Sequence, residues 1–142
     1  MRALLVLLFF FLSFAVTEAR AEPLNRAAME RFVVPPYALG ERVNDNGVWE
    51  LLNSGGAVAG YAFETGEMAP LPGFSGAPIN IFVMLDLDGH FLDVMLINHN
   101  EPIFVSGLGQ APFHRFFEQY AGKAVVAMQS AIPETISLKV DI

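Results

Sequence analysis

Residues 79–97 constrain the fold more than any other stretch of this chain. Ile79 to Leu85 and Phe91 to Ile97 are apolar runs that flank Asp86-Leu87-Asp88-Gly89, and a Gly-containing tight loop between two such runs predicts a β-hairpin. Side chains alternate across a strand, so Ile79, Ile81, Val83 and Leu85 share one side while Phe82 and Met84 take the other. Both sides are apolar, which requires cover from a helix, a second sheet or a ligand on each.

The surrounding chain offers that cover. Pro23 suits the first turn of a helix in which Leu24, Ala28 and Phe32 recur at four-residue spacing, and Pro35-Pro36 should end it. Asn44-Asp45-Asn46-Gly47 is a turn signal, Val48 to Leu52 follows it, and Ser54-Gly55-Gly56 breaks the chain again. Ala57 to Phe63 reads as a strand, with Gly60 as a bulge or a point of close approach. Glu64 to Pro78 holds three prolines and three glycines and reads as an ordered surface loop, a class of segment that often carries function. Ala111-Pro112 opens a second helix with Phe113, Phe116, Phe117 and Tyr120 on one stripe, best read as core packing, and Gly122 stops it. Ala124 to Met128 and Ile136 to Val140 read as further strands, the last ending where the sequence ends.

Arg2 and the apolar run Ala3 to Val16, followed by Ala19-Arg20-Ala21, form a secretory signal over residues 1–21, with Glu22 as the expected new N-terminus and an uncleaved anchor as the alternative. Residues 22–142 then make one domain that works outside the cytoplasm. They carry six Lys and Arg against fourteen Asp and Glu, a net charge of −8. That sign leaves no footprint for nucleic acid and predicts repulsion from anionic lipid headgroups. With no cysteine in the chain, thiol catalysis, iron–sulfur ligation and disulfides are excluded within it, and stability must come from apolar burial.

Few constellations could carry chemistry. Gly107-Leu108-Gly109 leads into the second helix, where backbone N–H groups and the helix dipole favour phosphate, yet Pro112 replaces the third glycine of a dinucleotide fingerprint. A phosphate-binding turn and a purely structural turn both remain open. Asn98-His99-Asn100-Glu101-Pro102 gathers polar groups at a strand end, either to hold a ligand or to cap the strand. His90, His99 and His114 lack metal-ligand spacing, so no metal is expected. None of Ser54, Ser75 and Ser106 sits in a nucleophile elbow, Gly73-Phe74-Ser75-Gly76 coming nearest, and no catalytic residue is assigned. Glu64, Glu67, Asp86 and Asp88 read as solvated loop charges.

Three stretches together resemble the periplasmic N-terminal domain of the NosR/NirI regulators of denitrification, within the wider FMN-binding domains of the RnfG type. They are Gly60-Tyr61-Ala62-Phe63-Glu64-Thr65, then Pro70 to Asn80 with its hairpin, and then His99-Asn100-Glu101-Pro102-Ile103. Asp45 to Trp49 and the helix Phe113 to Gly122 stand in the expected order. The resemblance implies an α+β fold, a small twisted and mostly antiparallel sheet with two packing helices. It further implies FMN linked through its phosphate to a threonine, a role in electron relay or redox sensing, and association with nitrous oxide reductase or its maturation factors. Glu101, Gly107, Leu108 and Gly109 would then line the phosphate or isoalloxazine site, with Phe74 and His99 bordering the ring. A flavin-free scaffold for a periplasmic partner is the alternative.

Two departures stand out. The attachment motif, Ser-Gly-Ala-Thr followed by Ser or Thr, is absent, and Ser75-Gly76-Ala77 meets Pro78 where the acceptor would stand. The motif is expected just after Ile142, so the chain reads as an N-terminal part whose membrane attachment would come from the missing part or from an uncleaved signal. The compact Glu-Thr-Pro-Gly-Leu-Gly of the wider family is here split between Glu101-Pro102 and Ser106 to Gly109.

Overall fold

A computed structural model describes residues 23–102 and 111–126. Five strands form one antiparallel sheet in chain order: β1 (Ala38–Arg42), β2 (Trp49–Leu52), β3 (Val58–Glu64), β4 (Asn80–Asp86) and β5 (Phe91–Asn98). Packed with it are the helices α1 (Arg26–Glu30), the single turn α2 (Thr65–Met68) and α3 (Ala111–Glu118). This is the α+β, antiparallel architecture expected from the sequence.

The hairpin forms as predicted, with Phe82 opposite Met95, Val83 opposite Val94 and Met84 opposite Asp93. Its register fixes which side chains share a face. On one face lie Leu39, Leu51, Ala62, Phe82 and Met84, which with Met29 of α1 form a buried core cluster. Leu51, Ala62, Phe82 and Met84 are wholly buried there, and the Phe32 ring lies 5.5 Å from that of Phe82. On the opposite face Ile81, Val83, Phe91 and Val94 lie under α3. The two-sided cover demanded by the hairpin is thus supplied by α1 and α3.

Gly60 is a point of close approach. A Cβ built on it would stand 2.0 Å from the Leu85 carbonyl oxygen, so only a residue without a side chain lets β3 and β4 meet at this register.

Several expectations need correction. α1 begins at Arg26, not near Pro23, because the Asn25 side chain caps it by accepting the Ala28 N–H at 3.0 Å. It also ends at Glu30, ahead of the two prolines. Glu64 closes β3 and Thr65–Met68 is helical, so the loop expected from Glu64 begins only after Met68. Ala124 makes an isolated bridge to His90 while Val125 and Val126 are already helical, because the turn after α3 delivers only a short stretch to the β4–β5 end. The remainder of that expected strand, the one at Ile136 to Val140, and Gly107 to Gly109 lie outside the described residues.

Candidate functional site

One end of the sheet gathers most of the polar chemistry. β3 ends there, β4 begins there and β5 leaves there, so Glu64, Asn80 and the segment after Asn98 are brought together from distant parts of the sequence. Glu64 is not a solvated loop charge. It is 3% exposed, and its carboxylate accepts the Leu24 N–H and the Asn80 Nδ2–H, each at 2.5 Å. Asn80 Oδ1 in turn accepts the Gly66 N–H at 2.7 Å, and Thr65 Oγ1 accepts the Ile81 N–H at 3.0 Å. A buried carboxylate needs donors, and here neutral amides supply them. The result ties the chain entering α1 to the start of β4 and to α2.

Glu101 forms a second anchor. It is buried, and its carboxylate accepts the Phe74 N–H at 3.1 Å, the Ser75 N–H at 3.3 Å and the Ser75 hydroxyl at 3.1 Å. Gly73 makes the approach possible, since a Cβ there would stand 2.1 Å from Glu101 Oε1. His99 Nδ1 accepts the Glu101 N–H at 3.1 Å, and its ring lies 5.1 Å from that of Phe113 on α3. The structure therefore links three of the candidate residues, His99, Glu101 and Phe74, through hydrogen bonds and one turn of chain. Phe74 itself points away, 93% exposed.

Beside this network, on the α3 face, lies a cavity of about 230 Å³ lined by Thr65, Ile81, Val83, Phe91, Val94, Phe116, Phe117 and Tyr120. Its walls are almost wholly apolar, and among the described residues no charged side chain lines it. Around it the rings run in contact: Phe113 on Phe117 at 6.1 Å, Phe116 on Phe117 at 5.6 Å, Phe116 on Tyr120 at 5.5 Å and Phe91 on Tyr120 at 5.6 Å. The aromatic stripe of α3 thus packs the sheet and also walls a space. Sequence reading did not find this cavity; the signal for it was the apolar outer row of the hairpin strands facing a helix of large rings.

The opposite end of the sheet holds Asp86, Asp88 and His90, whose ligand-type atoms lie within 4.8 Å of one another. Asp86 is no free loop charge either. Its Oδ1 accepts the N–H groups of Asp88 at 2.9 Å and His90 at 2.8 Å, and Oδ2 meets His90 Nδ1 at 3.2 Å. The His90 backbone N–H above all, with help from the Asp88 N–H and the His90 ring and against partial desolvation, holds the Asp86 carboxyl below the ordinary aspartate value. These bonds organise the hairpin turn and account for the cluster.

No family model and no solved structure matches the chain. Among curated proteins it is 30% identical over 128 residues to the Regulatory protein NosR of Pseudomonas aeruginosa, a match covering 87% of this chain and 18% of that protein. It is 35% identical over 71 residues to the Regulatory protein NosR of Stutzerimonas stutzeri, covering 50% of this chain and 10% of that one. The chain spans less than a fifth of the length of these relatives. Over the segment that it shares with them, the chain is similar to the NosR regulatory proteins.

Proposed function

We propose that residues 22–142 form the flavin-binding domain of a NosR-type regulator, exported by residues 1–21 and acting outside the cytoplasm in electron relay or redox sensing. The observation that carries this reading is the likeness to NosR across most of the chain. The α3-face cavity supports it, because a flat aromatic ring system suits a slot walled by Phe91, Phe116, Phe117 and Tyr120. Thr65 and Tyr120 bring hydroxyl groups to that slot. FMN, when bound, supplies electron acceptance and donation that no side chain of this cysteine-free chain provides. The chain's own residues hold the ring plane, exclude water from its apolar part and, through Glu101, keep the neighbouring loop in place. A phosphate would find its donors among backbone N–H groups, for which Gly107, Leu108 and Gly109 remain the proposed source.

A flavin-free scaffold for a partner such as nitrous oxide reductase or its maturation factors is the second reading, favoured by the lack of a charged side chain around the slot among the described residues. Titration of FMN with the full chain separates the two. Saturable quenching of flavin fluorescence that is weakened by Phe117→Leu supports the flavin site, and unquenched flavin at high micromolar concentration supports the scaffold.

A further inference from the structure

The loop from Ala69 to Ile79 contains no charged residue, and it displays Leu71 at 74% exposure and Phe74 at 93%. We propose that this loop is a membrane-seating tip, which inserts Leu71 and Phe74 into the interface of a bilayer rich in zwitterionic lipid.

The argument begins with the backbone. A loop that enters an apolar medium must leave no N–H group without an acceptor. Pro70, Pro72 and Pro78 have none to satisfy. Leu71 N–H donates to the Ala69 carbonyl, Gly73 to that of Ala77 and Gly76 to that of Gly73. Phe74 and Ser75 donate to Glu101, and Ala77 donates to Ser75 Oγ. Every backbone N–H from Pro70 to Pro78 is therefore satisfied within the protein, and so is the Ser75 hydroxyl, which donates to Glu101. The loop can leave water without orphaned donors.

It is also ordered before it binds. Pro72 and Pro78 bridge its two arms, and Glu101 grips its apex from 26 and 27 residues away. Little conformational freedom is left to lose on insertion. A protein partner would be expected to exchange hydrogen bonds with the loop, yet the loop has no N–H to offer. A bilayer asks for none, and the primary ammonium of phosphatidylethanolamine can still donate to the loop carbonyls.

Charge selects the lipid. The chain carries a net charge of −7 and the loop brings no Lys or Arg, so anionic headgroups repel it while phosphatidylcholine and phosphatidylethanolamine do not. Two apolar side chains give weak, reversible attachment, suited to orienting a domain already held near a membrane.

The absence of cysteine makes the test site-specific. The full chain is labelled with a nitroxide at Ala69→Cys, beside Leu71, or at Ser54→Cys, in the turn at the opposite end of the sheet. It is then mixed with vesicles of phosphatidylcholine and phosphatidylethanolamine, or with the same vesicles containing one third phosphatidylglycerol. The Ala69 label is expected to lose access to a water-soluble relaxation agent and gain access to oxygen, while the Ser54 label does neither. Leu71→Ser with Phe74→Ser, both exposed and therefore neutral to folding, should reduce the Ala69 effect by about tenfold or more. An Ala69 label that stays as accessible as the Ser54 label overturns the proposal and leaves the tip to a protein pocket. A stronger effect on the anionic vesicles overturns it too, since the charge argument would then be wrong.

Discussion

The two faces of the sheet are built to different standards. On the α1 face Leu51, Phe82 and Met84 are wholly buried and α1 is held from both sides, by Leu24 on Glu64 and by Arg26, whose guanidinium donates to the carbonyls of Leu39 and Gly40. On the α3 face Phe117 is the buried member of the aromatic stripe, and Phe113, Phe116 and Tyr120 stay half-buried around a cavity. A small domain without disulfides has one core from which to draw stability. Closing one face and leaving room on the other separates the part that holds the fold from the part free to bind.

That contrast can be broken on purpose. The largest effect is expected from Phe82→Ala, which opens a cavity in the closed face and should cost about 3–5 kcal/mol in urea unfolding. Glu64→Ala comes next. It strips the Leu24 N–H and the Asn80 amide of their acceptor, for about 2–4 kcal/mol, and should release residues 24–30 in amide exchange before the sheet opens. Phe116→Ala, on the open face, should cost only about 1–2 kcal/mol because its ring is half-buried. If it matches Phe82→Ala, the faces are equally committed to stability and the contrast fails.

The smallest effect belongs to neither face. Asp86 has its carboxyl held below the ordinary 3.8 in the folded chain, so its contribution is complete above that value and fades as pH falls through the folded one. Wild type and Asp86→Asn should therefore differ in stability at neutral pH and converge below about pH 4. A gap that persists into stronger acid would show that the aspartate acts through shape alone.

Much of this was readable from the sequence where the forces are local. Asp86-Leu87-Asp88-Gly89 specifies its own turn, and the two-sided apolar pattern of β4 required cover on both faces, a demand that α1 and α3 meet. Gly60 in a strand pattern signals a bulge or a close approach, and the Leu85 carbonyl beside it decides for the second. What stayed hidden depends on partners far along the chain. Glu64 looked like a loop charge because its donors stand 40 and 16 residues away, and Glu101 could be a ligand or a cap because its partner loop lies 26 residues back. Likewise the α3 stripe predicted packing but not the gap beneath it, since a cavity is a property of two surfaces that meet imperfectly. The family likeness, by contrast, was legible from the order of motifs alone.

The bond from Leu24 to Glu64 has one more consequence, for orientation. It pins the start of the folded domain at the same end of the sheet as the loop that carries Phe74. Seven residues separate Val16, the end of the N-terminal apolar run, from Leu24, so the two lie at most about 29 Å apart when the chain is fully stretched. Before the expected cut after Ala21, the domain would therefore hang from a membrane on a short leash, fastened at the end that bears Leu71 and Phe74.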